Sequence, residues 1–438
     1  MINGVEYDKD VWDGLEWLAS TQPDKNGFYE RLAKAQRNYI AATTKASNFC
    51  KPFDPSWYGS DAVAGFFSQA KSLLDNRRAY ELSTASHIIP WVKRLGQCAE
   101  LLNGISGAKE RANRMLLNEK VVPDTALFEL VLAGNYAAQG YDVEFIPEQK
   151  GKCKTPEFKC SIDGEYFFFV ECKRLQKGLY ERQEKASHLT RAHLAELQIN
   201  TKKMNIWLDV TYTCEVKDTP EDYLIRHLSN FKGVIYKWED EYGCGFIKPY
   251  DFGKIKKDIS EEGSLLFSVK LTRLIKGSPL EDENYDVFAT GRPDERDSRY
   301  ITSVKNASLV TWRCVSEKSF EARSRHVTKT LAEIDEQLLS HGIGIGHIAL
   351  DVDVQKDVAD KRRTKNNDAV RKFQIKSDIV CVNIHYLVPR IDENSSWMID
   401  ETVDYFHVNE VVKDVIPVVQ VFPGAVLFDN DFPGWYQK

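Results

Sequence analysis

The chain lacks the marks of a secreted, membrane-spanning or thiolate-metal protein. Its nine cysteines, scattered from Cys50 to Cys381, include no C-x-x-C pair. That excludes a disulfide framework and a thiolate zinc site and points to reduced thiols. The most apolar late stretch, Val418 to Phe428, is 11 residues long and broken by Pro423, where a spanning helix needs roughly 20. Met1 to Trp12 carries Glu6, Asp8 and Asp10 and lacks a basic segment followed by an apolar one, so no secretory signal is read and a cytoplasmic location is expected. Basic residues are not in excess: 59 Lys and Arg stand against 65 Asp and Glu, a net charge of −6. This argues against a uniformly basic nucleic-acid coat but leaves room for local patches. No G-K-[ST] phosphate loop occurs, so no ATPase is identified. Gly342-Ile343-Gly344-Ile345-Gly346 follows a helical pattern and precedes a strand, the reverse of a dinucleotide fingerprint, and reads as a helix C-cap and loop. His188 and His193 are five apart, which excludes a zinc-protease pair at i, i+4.

What is present is a soluble globular composition, 42% hydrophobic, 11% aromatic and 28% charged. At 438 residues the chain exceeds one domain of roughly 100 to 200 residues and suggests two or three. Four regions are expected: a helical 1–120, a first core part 121–215, an insertion or subdomain 216–315, and a core continuation 316–438. Helices are read over Ser60 to Leu74, Trp91 to Leu102, from Pro123 to Gly140, from Gly178 to about Lys203, Pro220 to Leu228, and Phe320 to Ser340. Strands are read over Tyr141 to Ile146, Glu157 to Ile162, Tyr166 to Lys173, Ile206 to Cys214, Ser264 to Leu274, Gly346 to Val354 and Ser377 to Val388. Lys276 to Arg299 reads as loop. The rhythm is α/β with an elaborated middle.

The chemistry concentrates between Thr155 and Arg174. Phe167, Phe168, Phe169 and Val170 are apolar on both faces, as in a central strand covered on both sides, and Glu171 and Lys173 continue it at i and i+2. In apolar surroundings each of these charges costs several kcal/mol unless it is paired or metal-bound. Register decides whether Glu157 joins them. A two-residue turn at Asp163-Gly164 pairs Ile162 with Glu165 and turns Glu157 to the wrong face. A three-residue loop, Ile162-Asp163-Gly164, pairs Ser161 with Glu165 and Glu157 with Phe169, on the face of Glu171 and Lys173. Glu129 sits in the apolar Leu127-Phe128-Glu129-Leu130-Val131-Leu132. Three carboxylates and a lysine at one sheet end suit Mg²⁺ or Mn²⁺ and phosphodiester hydrolysis.

These residues resemble the PD-(D/E)XK, or restriction-endonuclease-like, nuclease superfamily. The resemblance rests on the Glu129 helix, the strand before Pro147, Pro156-Glu157 in the place of Pro-Asp, Glu171-x-Lys173 and the following helix, about 75 residues, and loosely on the later elements to about Val388. It implies an α/β fold: a mixed central sheet flanked by helices, here with an N-terminal helical domain and a middle insertion. It also implies Mg²⁺-dependent cleavage, of DNA by analogy, leaving a 5′-phosphate. By position Glu157 and Glu171 are expected as metal ligands, with the carbonyl of Cys172, Glu129 as an accessory ligand and Lys173 as the catalytic lysine. Glu157 stands where the family has Asp, one methylene or roughly 1.5 Å longer.

Lys173 to Lys203 and Lys361 to Lys372 each carry a local charge of +5, read either as a solvated helix face or as a phosphate track. Arg174, Lys177, Arg182, Lys185 and Arg191 are the candidates for the nucleic acid. Asp351 and Asp353 read as polar residues at a sheet edge. A homodimer or a partner subunit is compatible with cutting two strands. The rival expectation is a catalytically silent nuclease-like module that binds nucleic acid or a partner protein.

Overall fold

The computed structural model describes residues 8–45, 55–76, 79, 82–118, 123–148, 154–164, 166–262, 264–265, 268–277, 284–295, 300–352, 355–391, 397–408 and 417–423. The described chain opens with α1 (Lys9–Ser20), α2 (Lys25–Thr43), α3 (Ala62–Asp75), α4 (Leu82–Gln97), α5 (Ala99–Gly104) and α6 (Ala108–Leu117). Asp8, Asp24 and Asp61 cap the first three, each side chain accepting a first-turn backbone N–H. The span expected as one helix from Trp91 to Leu102 is two, divided at Cys98.

α7 (Asp124–Ala138) is buried continuously from Ala126 to Tyr136, because it lies between α4, α5 and α6 and the strands β1 (Asp142–Phe145), β2 (Phe158–Ile162) and β3 (Tyr166–Leu175). The N-terminal helices and the strands share one hydrophobic core, running from Leu15, Phe67 and Trp91 through Phe128 to Phe158, Val170 and Cys172. The helical region is therefore one face of the sheet's packing rather than a body with a separate core.

The hairpin register is neither of the two expected. Ile162 pairs with Tyr166 and Phe158 with Val170, closing a three-residue loop that begins at Asp163. Both Asp163 (φ 53°) and Gly164 (φ 71°) are left-handed there. One step further along this register, Glu157 falls opposite Glu171, on the face of Glu171 and Lys173.

After α8 (Leu179–Thr201) the chain leaves this sheet. β4 (Ile206–Tyr212), α9 (Tyr223–Asn230), β5 (Tyr236–Glu239), β6 (Gly243–Pro249), α10 (Gly253–Glu262), β7 (Ser264–Leu265), α11 (Ser268–Lys276), β8 (Tyr285–Pro293) and β9 (Tyr300–Cys314) build a second mixed sheet. Its order is β5-β6-β4-β9-β7, with β8 also on β9. Two expectations are corrected here. Ser264 to Leu274 is mostly helix, with Leu271 and Ile275 on the buried side of α11, and Lys276 to Arg299 contains β8. The second sheet also begins with β4, earlier than the expected division after residue 215.

The chain returns through α12 (Glu317–Leu338), β10 (Gly344–Asp351), α13 (Lys356–Lys372), β11 (Ile379–Ile391) and β12 (Trp397–His407). The first sheet is ordered β1-β2-β3-β10-β11-β12, with β3, β10 and β11 parallel and the remaining pairs antiparallel. α4 and α7 cover one face and α12 the other. Gly342 is left-handed (φ 91°) between α12 and β10, the loop expected of the glycine run.

β12 carries acids inward. Asp404 is paired with Arg363, and the buried Glu401 meets His385 Nδ1 at 2.6 Å. His385 Nε2 meets His347 Nδ1 at 2.8 Å, and His347 Nε2 meets the Tyr136 hydroxyl at 2.8 Å. Glu401 also accepts the backbone N–H groups of Val421 and Phe422, which pins that segment over the helical core.

Candidate active site

β2 starts at Phe158, opposite Val170, so β3 runs on past it with Glu171, Cys172 and Lys173. Val170 and Cys172 face α7, whereas Phe169 and Leu175 face the α12 side. Alternation puts Glu171 and Lys173 on that second face. Glu171 is fully buried. Lys173 Nζ donates to Glu171 Oε1, while Glu171 Oε2 is buried with no hydrogen-bond partner among the described residues. The Glu157 N–H donates to the Val170 carbonyl at 3.1 Å. The Cys172 carbonyl, two residues on, points the same way.

Glu129 is 1% exposed, not on a solvated helix face, and it holds a partner that no local sequence pattern announced. Arg111 on α6 donates Nε to Glu129 Oε2. The electrostatics bind the group together. Burial, then Glu129 and Glu171, push the half-buried Glu157 carboxyl up to about 9. Burial also raises Glu171, to about 7, against the pull of Lys173. Burial works against the Lys173 charge, but Glu171, Glu157 and Glu129 outweigh it and its pKa lies above the ordinary lysine value. Three carboxyl groups are thus crowded with two cations into an apolar site that resists their ionisation, with one carboxylate oxygen unsatisfied among the described residues. This is the condition that a bound cation relieves. Among the described residues no three His, Cys, Asp or Glu side chains converge as a finished metal cage. The donor set left to a cation is Glu157, Glu171 and the Cys172 carbonyl, because Glu129 is held by Arg111.

The expected phosphate-contacting residues separate. Lys177, Arg182 and Lys185 are exposed, and Lys177 and Arg182 line a cleft of about 330 Å³ that also includes Lys173 and, from α12, His326 and Lys329. Arg174 also lines this cleft, but its side chain is turned inward. Its side chain is 5% exposed, pairs with Asp351 at 2.5 Å and lies over the Trp91 ring at 5.8 Å. Arg191 is not on a surface track: it is 3% exposed and donates to the Ser187 and Thr219 carbonyls. The α13 basic run is used in structure, with Arg362 on Glu181, Arg363 on Asp404 and Lys365 on Glu317. His188 is buried between Tyr212 and Asp286 and stacked on Trp312 at 4.4 Å, whereas His193 is exposed. Asp353 lies outside the described residues. No helix among the described residues is long and apolar enough to cross a membrane.

Comparison with protein-family models, with curated proteins and with solved structures finds no match.

Proposed function

We propose that the chain is a metal-dependent nuclease that hydrolyses phosphodiester bonds, of DNA by analogy with the superfamily its motifs resemble. One observation carries the reading. Glu171 is a wholly buried carboxylate with an oxygen unsatisfied among the described residues, paired with Lys173, across from Glu157, at a strand end that opens into a basic cleft. The order of α7, an antiparallel β1-β2-β3 and a parallel β10 beside β3 supports it, since this arrangement carries the acids and the lysine to one sheet end.

Glu157, Glu171 and the Cys172 carbonyl would hold Mg²⁺ or Mn²⁺. The cation supplies polarisation of water and neutralisation of charge on the phosphate. The chain's own residues do the rest. Lys173, held as an ammonium by Glu171, donates hydrogen bonds and fixes the water or the phosphate oxygen it faces. Water oxygen bonds to phosphorus, the bond from phosphorus to the 3′ oxygen breaks, and the leaving oxygen takes a proton, leaving a 5′-phosphate. Arg111 engages Glu129, limiting the negative charge offered to the phosphate.

The test is cleavage of circular and linear duplex DNA, single-stranded DNA and RNA by wild type and Lys173→Ala with Mg²⁺, Mn²⁺ or EDTA. Cutting that needs metal and is lost in the variant is expected. Absence of cutting in wild type on every substrate overturns it. A second reading, a silent binding module, is favoured by one feature: Glu129 and Lys173 already hold intramolecular partners.

A further inference from the structure

The cleft beside Lys173 continues into a second cavity, and together they carry information about strandedness. The first, about 330 Å³, lies between the β3 end, the loop into α8 and one flank of α12. The second, about 310 Å³, lies further along the same helices and adds Tyr180, Arg323 and Arg325. The two share Gly178, Leu179, His326 and Lys329 as lining residues, so they form one trough. Gly178 and His326 meet where the cavities join: a Cβ at Gly178 would lie 3.1 Å from the His326 ring, so the two pack against each other and floor the trough there.

The lining is strongly basic. Lys177 and Arg182 stand on the α8 side and Arg325 and Lys329 on α12, all four exposed. The acids there are mostly engaged, with Glu181 on Arg362 and Glu333 3.9 Å from Lys329. Arg323 is held by Glu184 and belongs to the wall. Each cavity is at the lower end of the roughly 300 to 1,000 Å³ that small-ligand sites occupy, room for about one nucleotide apiece. A paired duplex is too wide to seat in cavities of this size, whereas a single strand can lie across the floor that Gly178 and His326 make.

We infer that this trough takes a single nucleic-acid strand, laid across the start of α8 and the middle of α12, and feeds it to Lys173. The inference rests on the nuclease reading for its direction, but the strand-binding claim is tested without catalysis. Phosphates are matched by Lys177, Arg182, Arg325 and Lys329, and the small size of the two cavities selects an unpaired strand over a helix. The α12 basic residues had no place in the expected phosphate track, because only the fold brings them across from α8.

The experiment measures fluorescence anisotropy of labelled single-stranded DNA and of the same sequence as a blunt duplex, each of about 20 nucleotides, a length exceeding usual single-strand site sizes. The protein is full-length, in EDTA, over a range of salt. The expected result is single-strand binding at least about tenfold tighter than duplex binding. Arg325→Ala with Lys329→Ala should weaken it about tenfold or more, and the slope of log K against log salt should fall by about 1.4 for two lost contacts on a single strand. Lys232→Ala with Lys237→Ala, on the second sheet, should change neither. Equal or tighter duplex binding, no single-strand binding, or an α12 double variant that binds like wild type overturns the inference. Melting curves confirm that the surface variants are folded. Strand binding without metal-dependent cutting leaves the trough standing while the nuclease reading fails, and cutting without a single-strand preference does the reverse.

Discussion

Arg111 on α6 and Glu129 on α7 form an ion pair inside the acid cluster, with the Glu129 side chain 2% and the Arg111 side chain 16% exposed. The N-terminal helices thereby contribute a charge to the site. Removing one partner of such a pair strands the other, at a typical cost of about 3 kcal/mol. Arg111→Ala is expected to lower the unfolding free energy by that amount, read as a lower urea midpoint, and Arg111→Ala with Glu129→Gln to recover most of it. Urea unfolding followed by circular dichroism measures both, and additive losses in the double variant would refute the pairing.

Glu157 makes the apo protein less stable than its packing allows. Its carboxyl is raised by burial, Glu129 and Glu171, so the folded state holds a proton that the unfolded state releases. The sign follows: its contribution is fully present below about 4.5 and is lost as pH rises through about 9. Glu157→Gln is expected to be more stable than wild type by about 2 kcal/mol at neutral pH without metal, with a shallower decline of Tm toward alkaline pH. Mg²⁺ or Ca²⁺ should raise wild-type Tm and leave the variant unchanged. A variant no more stable than wild type in EDTA would contradict this electrostatic account.

Arg174 and Arg182 are neighbours in sequence with opposite expected phenotypes. Arg174→Ala removes a buried partner of Asp351 and the cover over Trp91, and should cost about 3 kcal/mol of stability. Arg182→Ala should leave Tm within about 1 °C, since surface substitutions stay within about 0.5 kcal/mol, while weakening nucleic-acid binding. Melting and anisotropy on the two variants separate the roles.

The chain from Tyr136 through His347 and His385 to Glu401 should set acid tolerance. Burial, then His385, holds His347 well below the ordinary histidine value. The unfolded chain takes up a proton near 6.5 that the folded one refuses, so stability is present above that pH and falls as the pH drops. His347→Gln is expected to be less stable at pH 7 by about 1 to 3 kcal/mol through the lost hydrogen bonds, yet with a shallower loss between pH 7 and pH 5. Tm against pH for both proteins is the measurement.

Local pattern exposed the elements whose apolar residues follow one period: α7, β1, the β2–β3 hairpin, α8, α12, β10 and β11. It did not fix the register, because the loop has three residues and opens at Asp163, one longer than the two-residue turn and one residue later than the loop from Ile162, with Asp163 as well as Gly164 left-handed. β12 was illegible for another reason. Its acids interrupt any apolar pattern, and the partners that let Glu401 and Asp404 be buried, the Val421 and Phe422 amides and Arg363, are remote in sequence. Within the site, Glu129, Glu157, Glu171 and Lys173 were all named from sequence, but Arg111 was not, since a lone Arg on an amphipathic helix carries no signal of what it meets. The α11 segment misled because its Val, Leu, Thr and Ile residues favour strands locally, while Leu271 and Ile275 sit four apart and bury one helical face.

The parallel pairing of β3 with β10 joins Phe169 to Gly344, with the whole second sheet between them in the chain. Closing so long a loop is entropically costly, and contacts this distant in sequence slow folding. During synthesis the helical layer, α7 and the first three strands emerge together, exposing the open edge of β3 until the excursion has folded and α12 returns. The two walls of the trough, α8 and α12, are the outgoing and incoming stems of that excursion. The trough is therefore assembled only when α12 returns to α8, so a nascent chain carries the acids and lysine of the first sheet before the groove proposed to receive a strand exists.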